Sequence, residues 1–397
     1  MISPVSEKKE KGAMRLKQQT VYLDNAATTR IKPEVLEKMR PFLSEKYGNP
    51  SGVYSLAGES KEAIDEARGH IAELLNCMRE EIYFTSGGSE SDNWALRGVA
   101  LANREKGNHI ITTKIEHHAI LNTCKELEKQ GFEVSYIDVD ASGRVLLSQL
   151  ERAIRPTTIL ISVMAANNEI GTIQPLREIG NIAKRYGILF HTDAVQAFGH
   201  IPIDVEECGT SLLSASGHKL YAPKGIGLLY IKEGVPIERL ITGGGQERGM
   251  RAGTENVAGM VGLGEAARLA GKKLQQCDRK EEALRNYLIQ RIFYEIPCVR
   301  LNGSRIKRLP NNAHFSFPYI DGEALIIMLD MKGVCASAGS ACSASSQEAS
   351  HVLQAIGLPE KMARSSLRLT LSDETTKEEI DYAVEQIKEI VGRLRRM

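Results

Sequence analysis

Residues 214–225 read Ser-Ala-Ser-Gly-His-Lys-Leu-Tyr-Ala-Pro-Lys-Gly. Nothing bulky shields Lys219, so its amine can bond to an aldehyde cofactor while Ser216 and His218 hold an anion. Alone, the motif reads equally as a surface lysine in a turn. Its meaning comes from its company. Residues 85–93, Thr-Ser-Gly-Gly-Ser-Glu-Ser-Asp-Asn, join a strand to a helix, with Ser89 the expected N-cap. Glycines there turn backbone N–H groups outward, and a helix N-terminus favours a phosphate. No Gly-Lys-Ser/Thr follows, so this is not a nucleotide P-loop.

Further reactive side chains stand at strand ends. Ile115-Glu116-His117-His118 follows a strand, and His117 can stack on an aromatic ring or move a proton. Ala166-Asn167-Asn168-Glu169-Ile170-Gly171 ends the most apolar strand, where buried amides seek partners. In His191-Thr192-Asp193-Ala194-Val195-Gln196 the carboxylate can pair with a protonated ring nitrogen, or simply cap the next helix. The loop 243–254 is glycine-rich and ends in Thr254, which can touch phosphate together with the backbone. Residues 335–346 contain nothing larger than cysteine. Such a run buries little apolar surface and is expected to be mobile, which suits Cys342 as a thiol that travels to a substrate. Arg368, in a strand-like segment, offers a fork for a carboxylate.

The elements that position these groups follow a β/α rhythm. Strands are expected near 82–85, 109–113, 133–139, 158–165, 188–192, 212–215 and 227–231, with helices between them. The apolar run 158–165 suits the middle of a parallel sheet. The fold class is therefore α/β, with a mostly parallel, doubly wound sheet in a large domain over 30–264. A smaller α+β domain is expected from 20–29 and 265–397. It opens on one long charged helix over 265–292 and carries the cysteine loop at about 335–348. Residues 1–19 are polar and lysine-rich, and read as a disordered tail.

Composition narrows the function classes. The chain has 397 residues, 42% hydrophobic and 25% charged, and its 51 basic and 50 acidic residues nearly cancel. That balance gives no field for nucleic acid or membrane. The 7 cysteines form no CxxC, so neither a metal site nor a disulfide framework is signalled. No signal peptide is seen, and the cytoplasm is the expected compartment.

In order, these motifs closely resemble the cysteine desulfurases of the NifS/IscS branch, pyridoxal-phosphate enzymes of fold type I in the class V aminotransferase family. The resemblance runs from about Tyr22 to the C-terminus. It rests on Thr-Ser-Gly…Glu-Ser-Asp-Asn, Glu-His, Asn-Asn-Glu-Ile-Gly, His-x-Asp-Ala-x-Gln, Ser-Gly-His-Lys, the 243–254 loop, Gly-Ser-Ala-Cys and Ser-x-Arg. It implies pyridoxal 5′-phosphate bonded to Lys219, Asp193 on the ring nitrogen, His117 against the ring and moving protons, and Gln196 at the ring hydroxyl. Gly88, Ser89, Ser216 and His218 would hold the phosphate. Thr254 would complete that site from the partner subunit of a homodimer. Asn168, a cofactor contact as well, and Arg368 would fix the carboxylate of L-cysteine. Cys342 would accept its sulfur as a persulfide, leaving L-alanine. The implied acceptor is an iron–sulfur scaffold protein or another sulfur-transfer partner, whose transient cluster the persulfide cysteine would contact. The alternatives are another class V aminotransferase or lyase, selenocysteine lyase included, and an inactive desulfurase-like interaction protein. The serine/alanine-rich setting of Cys342 matches the long-loop group of the family. The sequence departs from its relatives at Gly88, at Ser89 and in Ser-Gln-Glu-Ala-Ser after the cysteine.

Overall fold

Strand β1 (Val21–Tyr22) leads the chain into two main cores of unequal size, with two further apolar clusters beside them among the described residues. The structure, a computed structural model, describes residues 20–338 and 349–397, so the expected tail and Cys342 lie outside the described residues. The central sheet takes β2 (Ile82–Thr85), β3 (His109–Thr113), β4 (Glu133–Ile137), β5 (Thr158–Ser162), β6 (Leu189–Asp193), β7 (Leu212–Ser216) and β8 (Gly227–Ile231), in the order β2-β8-β7-β6-β5-β3-β4. Only β8 runs against its neighbours β2 and β7; the other pairings in this sheet are parallel. Both faces are covered, which is why β3, β5, β7 and β8 are buried at every position. Successive side chains take opposite faces. Ile82 and Phe84 pack with Ile71 and Leu75 of the helix Ser55–Leu75, while Tyr83 meets Trp94 of the helix Gly88–Ala102.

Because β2 runs the same way as β3, β5, β6 and β7, the C-terminal ends of all five open on one edge. Every candidate motif from Gly88 to Lys219 leaves the sheet there. Ligands bind at this edge in open α/β sheets.

The smaller core surrounds β9 (Arg300–Leu301), β10 (Asn312–Ser316) and β12 (Ser366–Thr370), ordered β12-β10-β9 and antiparallel. β11 (Val334–Cys335) pairs in parallel with β1, which brings the N-terminal segment into this core.

Two local expectations are corrected. The single helix over 265–292 is two, Val257–Gln275 and Lys280–Glu295. Cys277 takes a left-handed φ of 51°, and Asp278 Oδ1 accepts the N–H of Lys280, so a turn interrupts the charged run. The first of these helices crosses position 264/265 unbroken and packs residues as far as Ala270 in the larger core. Ser89 is not an N-cap. The helix starts at Gly88 and its cap is Gly87, whose φ of 155° asks for glycine.

Candidate active site

A cavity of about 260 Å³ at the sheet's C-terminal edge is lined by residues from both cores. It gathers Gly88, Ser89, His117, Asn168, Asp193, Gln196, Ser216, His218, Lys219 and Arg368. Thr254 is not among them; it is exposed, at the end of the glycine-rich loop. That loop is anchored instead by Glu247, whose carboxylate takes the Arg68 guanidinium at 2.8 and 3.0 Å and the N–H of Phe84 at 2.8 Å. Arg251 also reaches back, with a two-pronged contact to Glu90 beside the Gly87–Gly88 turn.

Lys219 follows β7 on a short 3-10 turn, half-buried. Its Nζ donates to Ala26 O at 2.5 Å and Ala27 O at 2.7 Å. Thr29 fixes the same turn by donating to His218 O through both its N–H and its hydroxyl.

Asp193 ends β6. Its Oδ1 accepts the N–H of Val195 at 2.9 Å in a tight turn rather than capping a helix. Burial pushes its carboxyl up to about 6, against the stabilising pull of the Val195 amide and Lys219. Asp92, one turn into the helix Gly88–Ala102, is 1% exposed and lines the same cavity. Its Oδ1 has no hydrogen-bond partner among the described residues, and burial with the nearby Asp193 charge holds its carboxyl well above the usual range. Beneath lies His191, kept neutral by burial, with its ring nitrogens on Ser162 Oγ at 2.9 Å and Ser214 Oγ at 3.0 Å. The cavity thus brings two buried carboxyl groups, Asp92 and Asp193, together, an electrostatic setting that a protonated ring nitrogen would relieve.

His117 stands before the helix His118–Glu128, and its Nδ1 accepts the N–H of Ala119 at 3.1 Å. Burial, then the neighbouring His118 and Lys219, lowers it to about 4, so near neutrality it is a neutral ring. His218 is lowered to about 4 as well, by burial and then by Lys219 and Lys224.

Arg368 comes from β12 of the smaller core and is 2% exposed. Its Nη1 donates to Asn168 O at 2.9 Å and its Nη2 to Asp24 Oδ1 at 2.8 Å. Its Nε has no hydrogen-bond partner among the described residues.

Several lining residues were not singled out as candidates from sequence: Ala26, Ala27, Asp92, His118, Glu169 and His351. Asp92, His118 and Glu169 sit inside motifs already noted. Ala26 and Ala27 act through carbonyls, which leave no side-chain signal. His351 gave none either; its Nε2 donates to the backbone carbonyl of Glu116 at 3.0 Å and its ring lies 4.9 Å from that of His118.

The fold, the lysine at the strand edge and the buried acid beneath it define a class. The chain belongs to the aminotransferase class-V family, whose profile matches residues 21–383. Within that class it is 54% identical over 379 residues to the cysteine desulfurase IscS of Clostridium botulinum strain Hall, covering 95% of this chain and 96% of that one. It is also 54% identical over 377 residues to the cysteine desulfurase IscS of Methanosarcina thermophila, covering 95% and 93%. Among solved structures, a NifS-like protein is similar with a TM-score of 0.89 at 40% identity, covering 94% of this chain and all of that one. SspA in complex with cysteine is similar with a TM-score of 0.79 at 40% identity, covering 88% and 98%.

Proposed function

We propose that this chain is a cysteine desulfurase that takes sulfur from L-cysteine onto Cys342 and releases L-alanine. The observation that carries the reading is the convergence of Lys219, Asp193 and Arg368 on one cavity from two separate cores. The relatives named above support it through their own activity.

The donor set fits pyridoxal 5′-phosphate. Backbone N–H groups at Gly88 and Ser89, opening a 15-residue helix, suit its phosphate along with Ser216 and His218. Asp193, buried at the strand end, suits its ring nitrogen, and Gln196 its ring hydroxyl. His117 supplies an aromatic face. Lys219 supplies the amine that bonds its aldehyde. When bound, the group supplies an electron sink for negative charge at the substrate α-carbon. Thr254 reaches the phosphate of a partner subunit in a homodimer, consistent with its exposed position outside its own cavity.

The chain's own residues then divide the work. Arg368 and Asn168 seat the substrate carboxylate, the arginine through its guanidinium fork. Lys219 takes the α-proton, and the carbonyls of Ala26 and Ala27 stabilise the resulting ammonium. Neutral His117 holds or passes a proton near the same centre. Cys342 acts as thiolate, a few per cent of a thiol whose ordinary pKa is ~8.5. Its Sγ bonds to the substrate sulfur as the substrate's own Cβ–S bond breaks, the electron pair of that bond passing to the substrate carbon, and protonation of Cβ leaves the methyl group of alanine. The persulfide passes to a sulfur acceptor, for which iron–sulfur cluster assembly is the proposed pathway. Incubation of purified protein with L-cysteine, followed by assays for alanine and sulfide, tests the reading; no alanine would contradict it.

A further inference from the structure

Residues 24–29 form a strap from the smaller core to the lysine turn. At one end Asp24 Oδ1 pairs with Arg368 Nη2 at 2.8 Å, with side chains 18% and 2% exposed. Two and three residues on, the carbonyls of Ala26 and Ala27 hold Lys219 Nζ at 2.5 and 2.7 Å. Ala26 O also takes Gln196 Nε2 at 3.0 Å. The strap is fastened to β12 by Asn25 Nδ2 on Thr370 O and by Ala26 N–H on Thr370 Oγ1, each at 2.8 Å. It is fastened to the lysine turn by Thr29 N–H on His218 O at 2.9 Å. Two residues of chain span at most about 7 Å, so this segment holds the arginine fork and the lysine amine in one short register.

We propose that Asp24 is a positioning residue: by pairing with Arg368 it sets the strap 24–27, and the strap sets the Lys219 amine against a carboxylate seated on Arg368. The proposal rests on the desulfurase reading of the cavity. In an amino acid the carboxylate is bonded directly to the α-carbon. A base that acts on that carbon must therefore be registered to the carboxylate clamp, and a displacement of about 1 Å costs on the order of a hundredfold in rate. The nearly buried Asp24–Arg368 pair is screened little by salt, so it can hold that register firmly. It also engages one edge of the guanidinium, Nη2, while Nε has no hydrogen-bond partner among the described residues.

L-Alanine tests this without sulfur chemistry, since it carries the carboxylate and the α-hydrogen alone. Its affinity for the holoenzyme, by calorimetry, reports on Arg368. Exchange of its α-hydrogen with D₂O at saturation, by NMR, reports on Lys219. Ethylamine, which lacks the carboxylate, is the control ligand. Asp24→Asn should weaken L-alanine binding and slow its exchange, each by roughly tenfold, and leave ethylamine affinity within about twofold of wild type. Asp24→Glu keeps the charge on a longer arm; it should bind L-alanine within about threefold of wild type yet exchange roughly tenfold more slowly. Wild-type affinity and exchange in Asp24→Asn would overturn the proposal. So would an equal loss of ethylamine binding, which marks mere structural damage, or wild-type exchange in Asp24→Glu. A wild-type holoenzyme that never exchanges L-alanine would instead contradict the desulfurase reading itself.

Discussion

Arg368 and Ser337 exchange both backbone hydrogen bonds, N–H of Arg368 to Ser337 O at 2.6 Å and the reverse at 3.3 Å. The arginine proposed to hold the substrate carboxylate is thus paired to a residue five positions before Cys342 in the sequence. On the far side of that cysteine, Ser350 Oγ donates to Glu169 Oε2 at 2.5 Å and His351 lines the cavity. The chain enters and leaves the Cys342 segment beside the same pocket.

Cys342→Ala should therefore keep the bound cofactor and lose sulfide release from L-cysteine by at least about a thousandfold. The absorbance of the purified variant and a sulfide assay check the two halves. Normal turnover would remove Cys342 from the scheme.

Lys219 stands just beyond a strand end with its amine on the Ala26 and Ala27 carbonyls, and it is the lysine proposed to bond the cofactor. Borohydride reduction of the coloured protein, then peptide mapping, should fix the cofactor mass on the peptide bearing Lys219. Attachment to any other lysine would contradict the assignment.

Arg368→Ala should raise the KM for L-cysteine about a hundredfold, because the substrate carboxylate loses its charged partner in a buried setting. Steady-state kinetics over a wide cysteine range check this. A wild-type KM would place the carboxylate elsewhere.

Glu116 offers a test of the buried acid around the site. It is fully buried, and burial pushes its carboxyl up to about 8 despite hydrogen bonds from Thr113 and Met164. In the unfolded chain it ionises near ~4.3. A raised folded-state value means its contribution to stability is complete below about pH 4 and is lost as pH rises towards about 8. Glu116→Gln cannot ionise, so relative to wild type it should gain stability on the order of a few kcal/mol between pH 5 and 8. Urea midpoints of the cofactor-free proteins at the two pH values check it. A pH-independent difference would show that Glu116 is already charged at pH 5.

Much of the frame is legible in the sequence because strands covered on both faces must be apolar throughout, as at β3 and β5. Chemistry-bearing side chains at their ends stand out against such runs, which is how His117, Asp193 and Lys219 can be found. What acts through the backbone does not stand out. Ala26 and Ala27 hold Lys219 with carbonyls, and any residue has one. The break between the helices Val257–Gln275 and Lys280–Glu295 is hidden because Cys277 adopts a left-handed φ without glycine to announce it. Gly87 rather than Ser89 heads its helix because backbone geometry there outranks a capping hydroxyl. His351 approaches the cavity from more than 130 residues beyond Lys219, and no local pattern reports so distant a meeting.

The most direct test of the central claim is mass spectrometry of the Cys342 peptide after brief exposure of the purified protein to L-cysteine. A gain of one sulfur atom on Cys342, with L-alanine formed in equal amount, is the predicted result. An unmodified Cys342 beside accumulating alanine, or added sulfur on another cysteine alone, would contradict it.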